Sequence, residues 1–200
     1  MLDPAASIAL AEQVADAARR IGVDTALIGA AALAVHRYTR GTEDIDLAAD
    51  VDPHEKLGAL KKMLDSAGLH SRLRMPDAED PLGGVLVVWA TVDEDGEPTD
   101  IVEVVNFYNP ERIVSTPASA AIARAGALPG TSLRCVTIED LIALKLYAGG
   151  LGDHADIVQL LARNREADLE AIREVAARFD VGGQLDALIE QAAAYWARRL

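Results

Sequence analysis

Apolar residues recur along this chain in two periods, and the switch between them divides it. Ile8, Leu10, Ala11, Val14 and Ala18 keep helical spacing and predict a helix over 3–21, with Asp3 as N-cap and Pro4 in the first turn. The apolar run 24–29 suits a buried strand, and the Ala-rich stretch 30–38 favours a helix. Over 44–50 acidic and apolar side chains alternate, as on a strand with one acidic face. Asp52-Pro53-His54-Glu55 is a capped helix start, and Gly68 supplies the stop after about Ala67. A further strand is expected over 69–75, and an acidic loop containing Pro and Gly over 76–84. The strand-like runs 85–90 and 100–107 flank the turn signal Asp95-Gly96 and predict a hairpin. Thr116-Pro117 opens a short helix.

From residue 137 onward only the helical period remains. Thr137 caps a helix over 141–148, Gly149-Gly150 breaks it, and helices follow over 153–163, 167–179 and 184–200. This order predicts an α+β protein with a mixed αβ core over 1–136 and a helical C-terminal part over 137–200 packed on it. Packing is the expected role of Trp89, of His36 and His154, and of the terminal Tyr195-Trp196 with Arg198-Arg199.

Charge narrows the partners. The net charge of −13 repels phosphate backbones, so broad nucleic-acid binding is not expected, whereas a small phosphorylated ligand held through a metal ion is compatible with it. No apolar run reaches the roughly 18 residues of a membrane span. The start Met-Leu-Asp-Pro lacks the features of a signal peptide, and the lone Cys135 fits a reducing compartment, so the expected location is cytoplasmic.

The chemistry concentrates in residues 29–47. Asp44 and Asp46 share one strand face with Cα atoms about 7 Å apart. Carboxylates that close repel each other unless a cation lies between them, and Mg²⁺, hard and usually shared with substrate phosphates, is the natural choice, with Mn²⁺ as its substitute. Upstream, Gly29 ends a strand as a helix begins, and Gly29 and Ala30 would offer backbone N–H groups to a phosphate. Lys145 lies in an apolar stretch and needs either a phosphate or a carboxylate such as Asp153 or Asp156. Arg40 has the same two options, and Thr42 suits a local backbone bond.

These residues resemble the nucleotidyltransferase superfamily, most closely the branch of AbiEii-type toxins of type IV toxin–antitoxin systems. The resemblance rests on Gly29-Ala30 followed by Arg40-Gly41-Thr42-Glu43-Asp44-Ile45-Asp46-Leu47, on Asp140-Leu141-Ile142-Ala143-Leu144-Lys145-Leu146, and on Asp153-His154-Ala155-Asp156-Ile157, and covers about residues 24–162. It implies a nucleotidyltransferase-like mixed sheet flanked by helices, with an NTP as donor, tRNA or protein as acceptor, and a cognate antitoxin as partner. It implies metal ligation and catalysis by Asp44, Asp46 and a third carboxylate from a neighbouring strand. Asp100 fits that third place best, because Glu103, three residues on, falls on the opposite strand face. It also implies nucleotide contacts from Gly29, Ala30, Arg40, Thr42, Lys145 and Asp153. Ala30 stands where similar proteins often carry Gly or Ser, which removes a hydroxyl contact and leaves open a catalytically inactive binding module of the same fold.

Overall fold

The computed structural model describes residues 4–112, 114–180 and 183–197. Asp3 and the Arg198-Arg199 pair, and the side chain of Trp196, lie outside that description.

Helix α1 (Pro4–Arg20) buries Ser7, Leu10, Ala11, Val14 and Ala18. Ile8, expected in this stripe, is 45% exposed, because the 3.6-residue period that unites 7, 11, 14 and 18 turns position 8 outward. Strand β1 is only Ala26–Leu27, and α2 (Gly29–Val35) follows at once. Strand β2 (Asp44–Ala49) runs through the middle of the sheet. Asp52 then accepts hydrogen bonds from the backbone N–H groups of His54 and Glu55. The chain winds one π-helical turn (Pro53–Leu57) into α3 (Gly58–Ser66), and Gly68 ends that helix at φ +86°.

Strands β3 (His70–Arg74) and β4 (Val85–Trp89) lead to a two-stranded ribbon of β5 (Thr91–Val92) and β6 (Pro98–Thr99) and on to β7 (Ile101–Asn106). The expected hairpin is present: β4 pairs antiparallel with β7, and the ribbon extends it. Trp89 is half-buried and stacks on His70, with ring centroids 5.9 Å apart. Helix α4 (Ala118–Arg124) precedes β8 (Gly126–Ala127) and β9 (Arg134–Cys135), two short strands that the sequence pattern does not reveal.

The seven-stranded mixed sheet has the order β3-β4-β7-β2-β1-β9-β8. Its centre pairs β2 with β7 in parallel, Asp46 opposite Glu103, and β2 with β1 antiparallel. Ile45, Leu47, Val102 and Val104 alternate into the core, so their neighbours Asp44, Asp46 and Glu103 stand on the other face. Asn106, fully buried at the end of β7, donates to the carbonyls of Val51, Gly83 and Tyr108 and accepts from the N–H of Val51, tying three loops to the sheet.

Among the described residues eight α-helices flank the sheet. The last four are α5 (Ile138–Ala148), α6 (Leu151–Arg163), α7 (Leu169–Ala176) and α8 (Leu185–Ala197). Thr137 caps α5, Gly149 ends it at φ +66°, and α6 starts two residues earlier than the pattern suggests because Gly149 alone makes the turn. Helix α5 packs against α4, α6 and α7, and α6 packs against α8. Leu141, Ile142, Ile157, Leu160 and Ile172 are fully buried among them and join the same hydrophobic core as the sheet. No helix of the described residues is long and apolar enough to cross a membrane.

Candidate active site

Three carboxylates meet on the exposed side of the central strands. Asp44 and Asp46 come from β2 and Glu103 from β7, and one oxygen of each lies within 4.8 Å of the others. The parallel β2–β7 register makes this set, since it puts Glu103 beside Asp46 and Ile101 beside Asp44. Glu103, not Asp100, is thus the third carboxylate of the cluster. Asp100 lies just ahead of β7 with φ +53°, off the strand alternation, and accepts a hydrogen bond from Ser7 Oγ at 2.9 Å. The two residues do diverge, as their three-residue spacing requires, but the face that meets β2's acids is that of Glu103.

Like charges this close have an electrostatic consequence. Burial, then the charges of Asp44 and Glu103, push the Asp46 carboxyl up from 3.8 to about 7, against the opposing pull of Arg40 and Lys145. Burial and Asp44 raise Glu103 as well. The cluster is therefore strained in its fully ionised state, and a hard divalent cation is the natural relief. Carboxylate oxygens from two adjacent strands match what Mg²⁺ takes from a protein while sharing its other positions with phosphate and water.

Gly29 fixes Asp46 in place. It has φ +56°, and a Cβ there would lie 1.9 Å from Asp46 Oδ2. Both facts demand glycine, the first for conformation and the second because the carboxylate occupies the side-chain space. The group that approaches this backbone in the structure is thus the Asp46 carboxylate. Thr42 acts on the other acid: its hydroxyl donates to Asp44 Oδ1 at 2.6 Å and so orients that carboxylate.

Lys145 meets both of its carboxylate candidates. Its Nζ is 3.0 Å from Asp153 Oδ1 and 2.6 Å from Asp156 Oδ2, and Arg40 Nε approaches Asp156 Oδ1 at 3.3 Å. Lys145 and Asp156 are almost fully buried, and the network brings two positive charges beside Asp46. Asp153 is also fixed by the N–H of Gly150. A cleft of about 570 Å³ opens next to this network, lined by Gly29, Lys145 and Asp153 together with Leu82, Val105, Phe107, Leu144 and Tyr147. Ala30 is buried and lines a separate apolar cavity of about 370 Å³, together with Arg40 and Thr42. The hydroxyl that Ala30 lacks is thus missing from another cavity's wall. His36 has the structural role expected of it, its Nε2 lying 2.9 Å from the carbonyl of Val136.

A sheet-borne acidic triad, a buried lysine and an adjoining cleft thus lie together in the fold. The chain belongs to the AbiEii family, described as nucleotidyl transferase AbiEii toxin of type IV toxin–antitoxin systems, whose family model matches residues 17–195. Solved structures of similar fold include ANT(2'')-Ia in complex with adenylyl-2''-tobramycin, 18% identical, covering 86% of this chain and 95% of that one with a TM-score of 0.53. Another is an antigenic nucleotidyltransferase-like protein from Paracoccidioides brasiliensis, 16% identical, covering 95% and 94% with a TM-score of 0.55. No curated protein is significantly similar in sequence.

Proposed function

We propose that this chain transfers a nucleoside monophosphate from an NTP to an acceptor group in a divalent-metal-dependent reaction. The observation that carries the reading is the convergence of Asp44, Asp46 and Glu103 within 4.8 Å, with Asp46 driven to about 7 by its surroundings. Those three residues would hold Mg²⁺ or Mn²⁺, which when bound neutralises phosphate charge and stabilises both the attacking and leaving oxygens.

The chain's own residues supply the rest. Lys145 and Arg40 offer positive charge to the phosphate oxygens, and Asp153 and Asp156 hold the lysine in position. Thr42 and Gly29 hold Asp44 and Asp46 in place. Glu103, which burial and Asp44 raise from its ordinary value in the metal-free protein, is the carboxylate from the neighbouring strand that completes the set.

For the acceptor, one observation favours protein over RNA. A groove of about 500 Å³ beside Asp44 is lined by Glu43, Asp93 and Asp100 together with Thr42 and Thr99. Its charge and the chain's net −13 oppose a phosphate backbone and favour a basic protein segment. Membership in the AbiEii family supports a cognate antitoxin as partner and the cytoplasm as compartment.

The test incubates the protein with each α-labelled NTP, Mg²⁺ or Mn²⁺, and total cellular RNA and protein, beside Asp44→Asn and Asp46→Asn. Label in a protein band that both variants abolish supports the reading. Label in RNA overturns the acceptor assignment. Nucleotide binding without any transfer reduces the chain to a nucleotide-binding module.

A further inference from the structure

The sheet face that carries the three acids continues past them toward the β3 edge, and strand registers build one row of side chains there. His70 of β3 pairs with Trp89 of β4, and Ile101 of β7 pairs with Asp44 of β2. Trp89 and Ile101 join the two halves, because the antiparallel register of Val88 with Val102 runs on without a break to Thr91 with Thr99. Residues opposite one another in a sheet point to the same side, so all four side chains stand on the face of the acids. His70 is exposed and the other three are half-buried. The His70 and Trp89 rings stack with 22° between their planes. His70 lies on the outer strand, so the indole face that it covers is turned away from the acids, and the other face is turned toward Ile101 and Asp44. Asp44 is two strand spacings from Trp89, about 10 Å. Between them Ile101, shorter than the indole, leaves a notch, and Ile101 also lines the acidic groove beside Asp44.

We infer that the acceptor group is the phenol of a tyrosine in a basic protein segment, its ring held against Trp89. The inference rests on the transfer reading and on its protein acceptor. A ring entering the notch gains an aromatic pair with the indole and apolar contact with Ile101. Its hydroxyl then stands a full ring away from the peptide backbone, on the side of Asp44, while basic neighbours in the segment lie over Glu43, Asp93 and Asp100. A serine or threonine hydroxyl, one bond from Cβ, leaves the notch empty and would have to bring the backbone itself down between the indole and the acids. The phenol is also the readier nucleophile, since it ionises at about pH 10 in water and aliphatic hydroxyls do not. In the transfer its oxygen bonds to the α-phosphorus of the NTP and the bond from that phosphorus to the bridging oxygen breaks. Pyrophosphate leaves with the electron pair, and the phenol proton passes to water.

The wild type, Trp89→Phe and Trp89→Ala, each confirmed as folded by circular dichroism, are incubated with each α-labelled NTP, Mg²⁺ and total cellular protein and RNA, and the labelled residue is located by mass spectrometry. In parallel, calorimetry measures binding of a Lys-rich peptide with one central Tyr and of its Phe and Ser counterparts. The nucleoside monophosphate is expected on tyrosine. The Tyr and Phe peptides should bind about tenfold more tightly than the Ser peptide, the gain of one aromatic pair. Trp89→Phe should keep most of that preference, and Trp89→Ala should lose it together with most of the tyrosine label. Label on serine or threonine, or a preference for Tyr that is absent from the wild type or unchanged in Trp89→Ala, overturns the inference and leaves nucleotidyl transfer standing. Label in RNA alone overturns the protein acceptor and the tyrosine with it. No label from any NTP with the folded wild type defeats the transfer reading and this inference together.

Discussion

Asp46→Asn should stabilise the metal-free protein at alkaline pH, although it removes a residue at the centre of the proposed chemistry. Asp46 would ionise near 3.8 in the unfolded chain and at about 7 in the fold. Between those values the folded state holds a proton that the unfolded state has lost, so stability falls as pH rises through the window and the penalty is complete above about 7. At ~1.4 kcal/mol per pH unit the window corresponds to about 4 kcal/mol. Water reaches part of this carboxylate, which reduces the expected figure to about 2 kcal/mol. In a chain of this size that corresponds to a melting temperature higher by about 4–8 °C.

The assay is thermal unfolding in EDTA at pH 5 and pH 8, followed by titration of Mg²⁺ at pH 8. Asp46→Asn should melt above the wild type at pH 8 and by only about a third as much at pH 5, which lies about one unit into the window. Mg²⁺ should raise the wild type and leave the variant unmoved, because binding to the folded state alone stabilises it by mass action. A variant less stable than the wild type at pH 8, or a difference that does not change with pH, would refute the electrostatic account of the cluster.

Glu103→Gln should abolish the Mg²⁺-dependent rise in melting temperature while Asp100→Asn retains it, which tests directly which acid completes the metal site. Gly29→Ala places a methyl group on Asp46 Oδ2 at a positive φ, and chemical denaturation should show a loss of about 1–3 kcal/mol together with loss of Mg²⁺ binding. Lys145→Ala leaves Asp156 buried with Arg40 as its remaining cation, and should cost about 3 kcal/mol in denaturant titration as well as weakening NTP binding. Thr42→Val should keep the fold and lower transfer activity about tenfold, since it frees the Asp44 carboxylate without removing it.

The sequence discloses this site unevenly, and the unevenness follows the range of the interactions involved. Asp44 and Asp46 are legible because a strand's two-residue alternation is local, and so are the caps at Asp52 and Thr137 and the turns at Gly68 and Gly149. The short strands β8 and β9 are not legible, because two residues carry no period, and β9 is a strand only by virtue of its pairing with β1 and β8. Glu103 is the instructive case. Its one local signal is that it is the single charged residue among the valines of β7, while Asp100 begins the same run and looks equally suitable. Only the parallel register with β2, set by residues more than fifty positions away, decides between them. The shifted Asp46 is likewise hidden from the local sequence: burial in the fold raises it most and Asp44 next, and Glu103, arriving from the next strand, adds to the cost of the fully ionised cluster. Gly29 then acquires its meaning from the same geometry. Read as sequence it is a turn residue before a helix, but in the fold it is the space into which Asp46 must fit. The motif marks two acids, and the sheet makes a site of them by adding a third acid and removing a side chain.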